Sequence, residues 1–515
     1  MTQRTSRARN DVELSAFLLA AVTFGLAPCA PAQVNCSAQI EKAYRLLSEQ
    51  NVREAQAQAL AATQACPRNA DAYNVLGMSY DLGNRFAEAE RAYHQAIELN
   101  PRNVSCHDNL AVSFLRSGNG DAAEREFHRA LDLAPQDVPA NLNLAAYELS
   151  QKRYSDALQH YRAAHAEQSR DSTALLGMTQ AYFGAGDRTA GRDLANHLST
   201  LAGSDPKIHF SLGLLLAESE EYHLAVREFK AIPPSQRDFS TALNLGMAYA
   251  KLGDLASARE SYLEASRLEP ANPESYLRMG MDVARNNAND AIYWITQAHE
   301  RAQDRPDISC LLSEQLIRVR NYEMADAILA PVTQRHPDDP KVWEALGDLR
   351  SSQKRLEEAV SAYHQSLKLD PANVNVRLAL AELDREAGRA DAASAELREV
   401  LRLQPGNPKA DAQLARDAFD AGQTDEALRL ARLCLKSDPD NLTANSVLAE
   451  VMMRQNDFAA ARSTLDKLVK LDSKNPRFHY LLSRVLYKLN LSQEALNEAE
   501  LSKKLQGGGV EVNPQ

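Results

Sequence analysis

One small residue recurs through this chain at intervals of roughly 34 residues, the spacing of a repeated helix pair. The position is filled by Ala55, Ala89, Ala123, Ala157, Gly191, Ala225, Ala258, Ala291, Ala325, Ala359, Ala393, Ala427, Ala461 and Ala495. An isolated helix has no need of that regularity. A facing helix has, because axes about 8 to 10 Å apart leave little room for side chains at the crossing. A second small column, including Gly77, Ala111, Ala145, Gly213, Gly246, Gly280, Gly347, Ala381, Ala415 and Ala449, supplies the opposing site.

The stretch "YNVLGMSYDLGNRFAEAERAYHQAIELNP", from Tyr73 to Pro101, shows what surrounds these columns. Tyr73, Leu76 and Tyr80 share one face of a first helix, and Phe86, Ala89, Tyr93, Ala96 and Ile97 share one face of a second. Gly83 and Asn84 lie between them, where residues that tolerate positive φ make a tight turn. Pro101 ends the unit because proline cannot continue a helix. The same text returns from Val104, Val138, Ser172, Pro206, Phe239, Pro273, Pro306, Pro340, Val374, Pro408, Leu442 and Pro476, and a further unit starts near Cys36.

These residues resemble the tetratricopeptide repeat family, whose motif places an aromatic residue, Leu-Gly or Leu-Ala, Tyr, Ala, an aromatic residue, Ala and Pro at the spacings of Tyr73, Leu76, Gly77, Tyr80, Ala89, Tyr93, Ala96 and Pro101. The resemblance implies an all-α chain, a right-handed superhelical solenoid of about fourteen helix-turn-helix repeats. It also implies that first helices line a concave groove that holds a peptide or partner protein. Candidate groove residues are Asn74, Met78, Asp81, Asn109, Asn143 and Asn244; the three asparagines last named precede the Leu-Gly or Leu-Ala pair, where some family members hold a ligand's backbone. Val75, Gly177, Ser211 and Ala345 interrupt that column, so no continuous asparagine ladder is expected. Other inward positions change from Asp108, Leu142, Phe183, Phe210, Met247 and Met281 to Glu344, Asp348, Glu382, Arg416, Arg454, Arg484 and Lys488.

Two units depart from the pattern. Pro233-Pro234 cuts a second helix, and "RNNAND" makes an irregular turn in the next unit but one. A joint near residues 232–290 is expected, dividing the array into sections 33–238 and 239–506, with 507–515 a flexible tail.

The N-terminus has a different composition. Arg4, Arg7 and Arg9 precede a mostly apolar run from Leu14 to Ala27, followed by Ala30-Pro31-Ala32. That order is a secretory signal pattern over residues 1–32, with cleavage before Gln33. The run is shorter than the roughly 20 residues that span a bilayer, so no transmembrane segment is expected in the mature chain. Pro28 before Cys29 disfavours a lipoprotein anchor. Localisation is therefore expected to be exported: periplasmic, secreted or associated with an outer envelope.

No metal, cofactor or catalytic motif emerges. H-E-x-x-H, G-x-S-x-G and phosphate-loop patterns are absent. Gly118-Asn119-Gly120 reads as a helix-helix turn, His94, His128 and His364 as solvated histidines, and Glu218, Glu220 and Glu221 as a charged helix end. A formal net charge of −11 without a long Lys/Arg cluster opposes nucleic-acid binding. Cys36 and Cys66 bracket the first helix pair, and an antiparallel hairpin brings both to one end, where an oxidising compartment allows a disulfide. The chain thus reads as a non-enzymatic, exported scaffold for envelope assembly, secretion or polysaccharide export. The competing readings are a repeat module serving a separate glycosyltransferase or similar catalyst, and a cytosolic adaptor.

Overall fold

The computed structural model describes residues 31–506. The expected signal segment lies almost wholly outside the described residues, as does the tail 507–515. Among the described residues there are twenty-eight α-helices, two short 3-10 turns and no strand. Consecutive helices pair into fourteen repeats. The small column is buried throughout: Ala55, Ala89, Ala123 and Ala157 have no exposed surface, and Ala495 retains only 6%.

The chain divides between Leu268 and Glu269 into two compact units. The first holds seven repeats, from Pro31–Ser48 with Val52–Ala65 to Phe239–Lys251 with Leu255–Leu268. The second also holds seven, from Glu274–Val283 with Ala288–Arg301 to Pro476–Lys488 with Ser492–Gln506.

Local chemistry explains each boundary. Asn69 accepts hydrogen bonds from the amides of Asp71 and Ala72 at the start of Ala70–Leu82, and Asp171 and Asp339 cap later first helices similarly. Such caps contribute about 1 kcal/mol each. Pro206, Pro306, Pro340, Pro408 and Pro476 open first helices, where the missing amide hydrogen costs nothing. The helix expected to open at Pro273 begins one residue later, with Pro273 as its cap, and the first described helix begins at Pro31, ahead of Cys36.

The intra-repeat turn is more uniform than the sequence. Its αL residue is Asn84 at φ 58°, while Gly83 keeps φ −83°. Gly118, Gly186 and Gly253 fill the same place elsewhere, but so do Lys152, Glu220, Arg320 and Lys354. The turn geometry is imposed by the packing of the helix pair, and several residues accept strain to meet it.

Pro233-Pro234 does end a second helix early, at Ala231, and a 3-10 turn follows over Pro234–Gln236. A similar truncation that the sequence did not announce ends Tyr154–Ala163, where His165 adopts φ 53° before the turn Ala166–Gln168. Conversely, Pro331 lies inside the continuous helix Tyr322–Arg335.

The glycines of the second small column have a specific tenant. A Cβ on Gly77 would stand 2.6 Å from the Tyr93 ring, one on Gly213 2.6 Å from Phe229, and one on Gly246 2.6 Å from Tyr262. Each ring is buried. Helix proximity is part of the reason, since the Gly246 Cβ would also lie 3.2 Å from the carbonyl of Ala258. At these three positions the larger part is an aromatic side chain laid across the first helix, whereas at Gly280 the neighbour is Ile295.

Candidate functional site

In the first unit, first helices of successive repeats exchange polar side-chain contacts. Asn109 Nδ2 donates to Asn74 Oδ1 at 3.1 Å, and Asn74 Nδ2 donates to the Tyr44 hydroxyl at 3.4 Å. Asn143 Nδ2 lies 3.0 Å from both carboxylate oxygens of Asp108. Asp81 accepts from Tyr93 Oη at 2.9 Å and from Ser113 Oγ at 2.8 Å. All but the Tyr93–Asp81 bond, which ties the second helix of a repeat to its own first helix, join first helices about one repeat apart.

Burial decides what each can do. Asn74, Asp81, Asp108 and Asn143 are buried, whereas Asn109 and Met78 are half-buried. Met78 packs against the core clusters built on Ile40 and on Tyr93. The structure therefore joins Asn74 to Asn109 and pairs Asn143 with Asp108, while Asp81 is tied to Tyr93 and Ser113 and Met78 packs into the core. Asn244 stands apart: its amide donates to the Ser240 carbonyl of its own helix at 2.8 Å. Burial pushes the Asp108 carboxyl up to about 7 against the Asn143 hydrogen bond. It raises Asp81 as well, although Ser113 and Tyr93 both donate to that carboxylate.

The corresponding positions of the second unit carry different chemistry. Arg416 Nη2 is 2.9 Å from Glu450 Oε1, which also receives Arg477 at 2.9 Å. Burial opposes the Glu450 charge, yet Arg416 and Arg477 hold its pKa below the usual carboxylate value. The guanidinium carbons of Arg454 and Arg416 lie 3.6 and 5.4 Å from the Phe419 ring centroid. Arg484 stacks 5.9 Å over Tyr480, and Tyr480 and Tyr487 are 50% and 69% exposed. Asp348, pushed up to about 6 by burial, accepts from Tyr363 at 2.6 Å. Asp348, Arg416, Arg454 and Arg484 were visible in the sequence; Glu450, Arg477 and the aromatic members Phe419, Tyr480 and Tyr487 were missed.

Histidines provide a second omission. His94 and His128 are half exposed, each within 4 Å of a glutamate one turn earlier. The buried histidines are instead His107, His209 and His479. Their Nδ1 atoms lie 2.8, 2.8 and 2.6 Å from Glu126, Glu228 and Glu498, and their Nε2 atoms face the carbonyls of Pro101, Gly203 and Ser473. Asn141, Trp343, Arg377 and Asn445 reach back from the same register to Pro135, Pro337, Pro371 and Pro439. This donor clasps the loop between repeats. A glutamate 19 residues after each histidine was the available signal.

The remaining motifs resolve into structure. Gly118 is a turn at φ 85°, and Asn119 caps Gly120–Leu133. Glu221 binds Arg188 and Arg192 at 2.7 and 2.9 Å. Cys36 and Cys66 are free thiols packed in one apolar cluster. Among the described residues, no three His, Cys, Asp or Glu side chains gather as a metal site requires, and no helix is long and apolar enough to cross a membrane.

Comparison with known proteins places this architecture. Tetratricopeptide repeat profiles match residues 70–103, 109–172, 240–272 and 418–498, and the profile of the cytochrome c-type biogenesis protein H TPR domain matches 295–431. The E3 SUMO-protein ligase RanBP2 of Homo sapiens is 27% identical over 192 residues, which is 35% of this chain, and its Pan troglodytes counterpart is 26% identical over the same length. The chain spans only 6% of the length of these relatives. Among solved structures, the APC/C hetero-tetramer Cut9-Hcn1 aligns over 91% of this chain and 93% of that chain, at 14% identity and a TM-score of 0.39. MamA of Desulfovibrio magneticus RS-1 aligns over 33% of this chain and 96% of its own, at 19% identity and a TM-score of 0.30. The repeated helix pairs, the packed small columns and the matched profiles together make this chain a member of the tetratricopeptide repeat family.

Proposed function

We propose that the protein is an exported, non-enzymatic scaffold that binds a peptide or partner protein along the first-helix face of residues 70–150. The observation that carries this reading is the fixed polar line Tyr44–Asn74–Asn109 and Asp108–Asn143. Side chains already held by neighbours lose little rotamer freedom when a ligand binds, which lowers the cost of association. Asn109 and Met78 are the half-buried members that a ligand reaches first. Export rests on the basic, apolar and small-residue order of residues 1–32. The profile match over 295–431 supports a role in assembling other envelope proteins.

Panning random displayed peptides against the full chain tests the surface. Selected peptides are expected to slow amide exchange in first helices between residues 70 and 150, and Asn109→Ala is expected to weaken them. Footprints confined to second helices, or binding indifferent to Asn109, would overturn the assignment. Export is tested separately by sequencing the mature N-terminus in the native source. Gln33 is the expected first residue, and an intact Met1 would sink it.

A further inference from the structure

Two sulfur-bearing residues of the first repeat converge on one carbonyl. The Cys66 amide donates to the Ala62 oxygen at 2.8 Å, and Cys36 Sγ donates to the same oxygen at 3.9 Å. Cys36 lies early in the helix Pro31–Ser48, and Cys66 caps the C-terminus of Val52–Ala65. The antiparallel pairing of those helices brings the two together. Cys36 is 1% exposed, in the cluster of Ile40, Ala59 and Ala62, and half-buried Cys66 packs on that cluster. Burial first, and the neighbouring Cys66 thiol after it, push Cys36 up to about 12. Cys106, Cys310 and Cys434 belong to other repeats.

We propose that Cys36 and Cys66 are an oxidisable pair that forms a disulfide, joining the start of the first described helix to the end of the second. The oxidant is an external disulfide. The accessible sulfur of Cys66 attacks it, releasing one thiol and forming a mixed disulfide. Cys36 then attacks Cys66, its proton leaves to solvent, and the second oxidant thiol departs. Two S–H bonds break, one S–S bond forms, and the two electrons reduce the external disulfide to two thiols. The product adds a covalent tie between the two helices, so its effect falls on local opening of residues 36–66.

The test uses the full chain and oxidised glutathione as the probe. Thiols titrated after denaturation are expected to fall by two. A non-reduced digest should hold a peptide linking Cys36 to Cys66, and amide exchange across residues 36–66 should slow by roughly thirtyfold or more. Cys66→Ser should abolish both the link and the slowing. If that variant fails to fold, oxidised and reduced wild type still supply the comparison. An unchanged thiol count, a stable glutathione adduct on Cys66, or a link to Cys106, Cys310 or Cys434 would overturn the proposal.

Discussion

His107 Nδ1 and Glu126 Oε2 stand 2.8 Å apart in a buried pocket, while His107 Nε2 faces the Pro101 carbonyl at 3.2 Å. Both ring nitrogens meet acceptors, so the protonated ring satisfies the site. The Glu126 hydrogen bond, against burial, raises the His107 pKa above 6.5. Burial works against the Glu126 charge, but His107 and Arg129 hold its pKa below 4.5. The histidine's contribution to stability is thus full below 6.5 and is lost as pH rises through its folded pKa. The glutamate's contribution is present above 4.5 and is lost as pH falls through its own. Glu126→Gln is expected to cost about 1–3 kcal/mol near pH 6 and to flatten the alkaline decline. Amide exchange of residues 104–133 between pH 5 and 9, corrected for intrinsic rates, checks this.

Gly77→Ala should destabilise the second repeat although alanine is the better helix residue. Helix propensity favours alanine by about 1 kcal/mol. The new Cβ, however, meets the Tyr93 ring at 2.6 Å, and that ring is 1% exposed and hydrogen-bonded to Asp81. Overpacking of this kind costs about 1–3 kcal/mol, so the net expectation is a loss of roughly 1 kcal/mol. A smaller cost of Gly77→Ala in a Tyr93→Leu background than in the wild type would identify the ring as the cause. Denaturant melts of the wild type, both single variants and the double variant measure it.

The fourteen-fold helix pairing was legible because packing at Ala89 and its equivalents repeats the same demand on composition in every unit. Helix starts at Val104, Pro206 and Pro476 were legible because caps and prolines are local chemistry. Tertiary partnership was less so. That Gly77 makes room for Tyr93, or that His107 joins Glu126 to the loop at Pro101, depends on which helix faces which, and only the repeat register hints at it. Asn74 and Asn109 were found as first-helix polar residues, yet their mutual hydrogen bond depends on the rotation of two neighbouring helices. The truncation at Ala163 left no proline to betray it, unlike Pro233-Pro234.

Asp108→Asn is expected to stabilise the first unit at alkaline pH. Burial lifts this carboxyl from 3.8 to about 7, so its contribution is greatest below 3.8, while protonated, and is lost as pH rises through 7. At pH 8 the native chain buries a charge opposed only by the Asn143 amide. The asparagine keeps an acceptor for Asn143 and carries no charge. Thermal melts should show a larger gain in Tm at pH 8 than at pH 5. A gain independent of pH would point to packing instead.

Lys152→Gly addresses the turn of the fourth repeat, where lysine sits at φ 60° between Val138–Ser150 and Tyr154–Ala163. An L side chain in that region costs roughly 1–2 kcal/mol, and glycine escapes it at a smaller cost in unfolded-chain entropy. A net gain of about 0.5–1 kcal/mol is expected, with slower amide exchange on both sides of the turn. Gly118→Ala, which introduces a side chain at φ 85°, should move stability the other way.

Glu450 is the anion on which the last three repeats converge. It receives Arg416 and Arg477 at 2.9 Å, and Ser446 Oγ donates to it at 3.0 Å. Arg416 and Glu450 have side chains only 15% and 13% exposed, so removing the carboxylate leaves a largely buried guanidinium with only the more distant Asp420 carboxylate, at 3.8 Å, to balance its charge. Glu450→Ala should therefore cost about 3 kcal/mol, near the low end for a broken buried pair, because Arg477 is 57% exposed and can return to water. Arg416→Met in the same chain removes the stranded charge and should recover most of that loss. Arg477→Met added instead should recover little. Amide exchange over residues 408–488 in the three variants separates a buried-charge penalty from a simple loss of contacts, since only the former depends on which arginine is replaced.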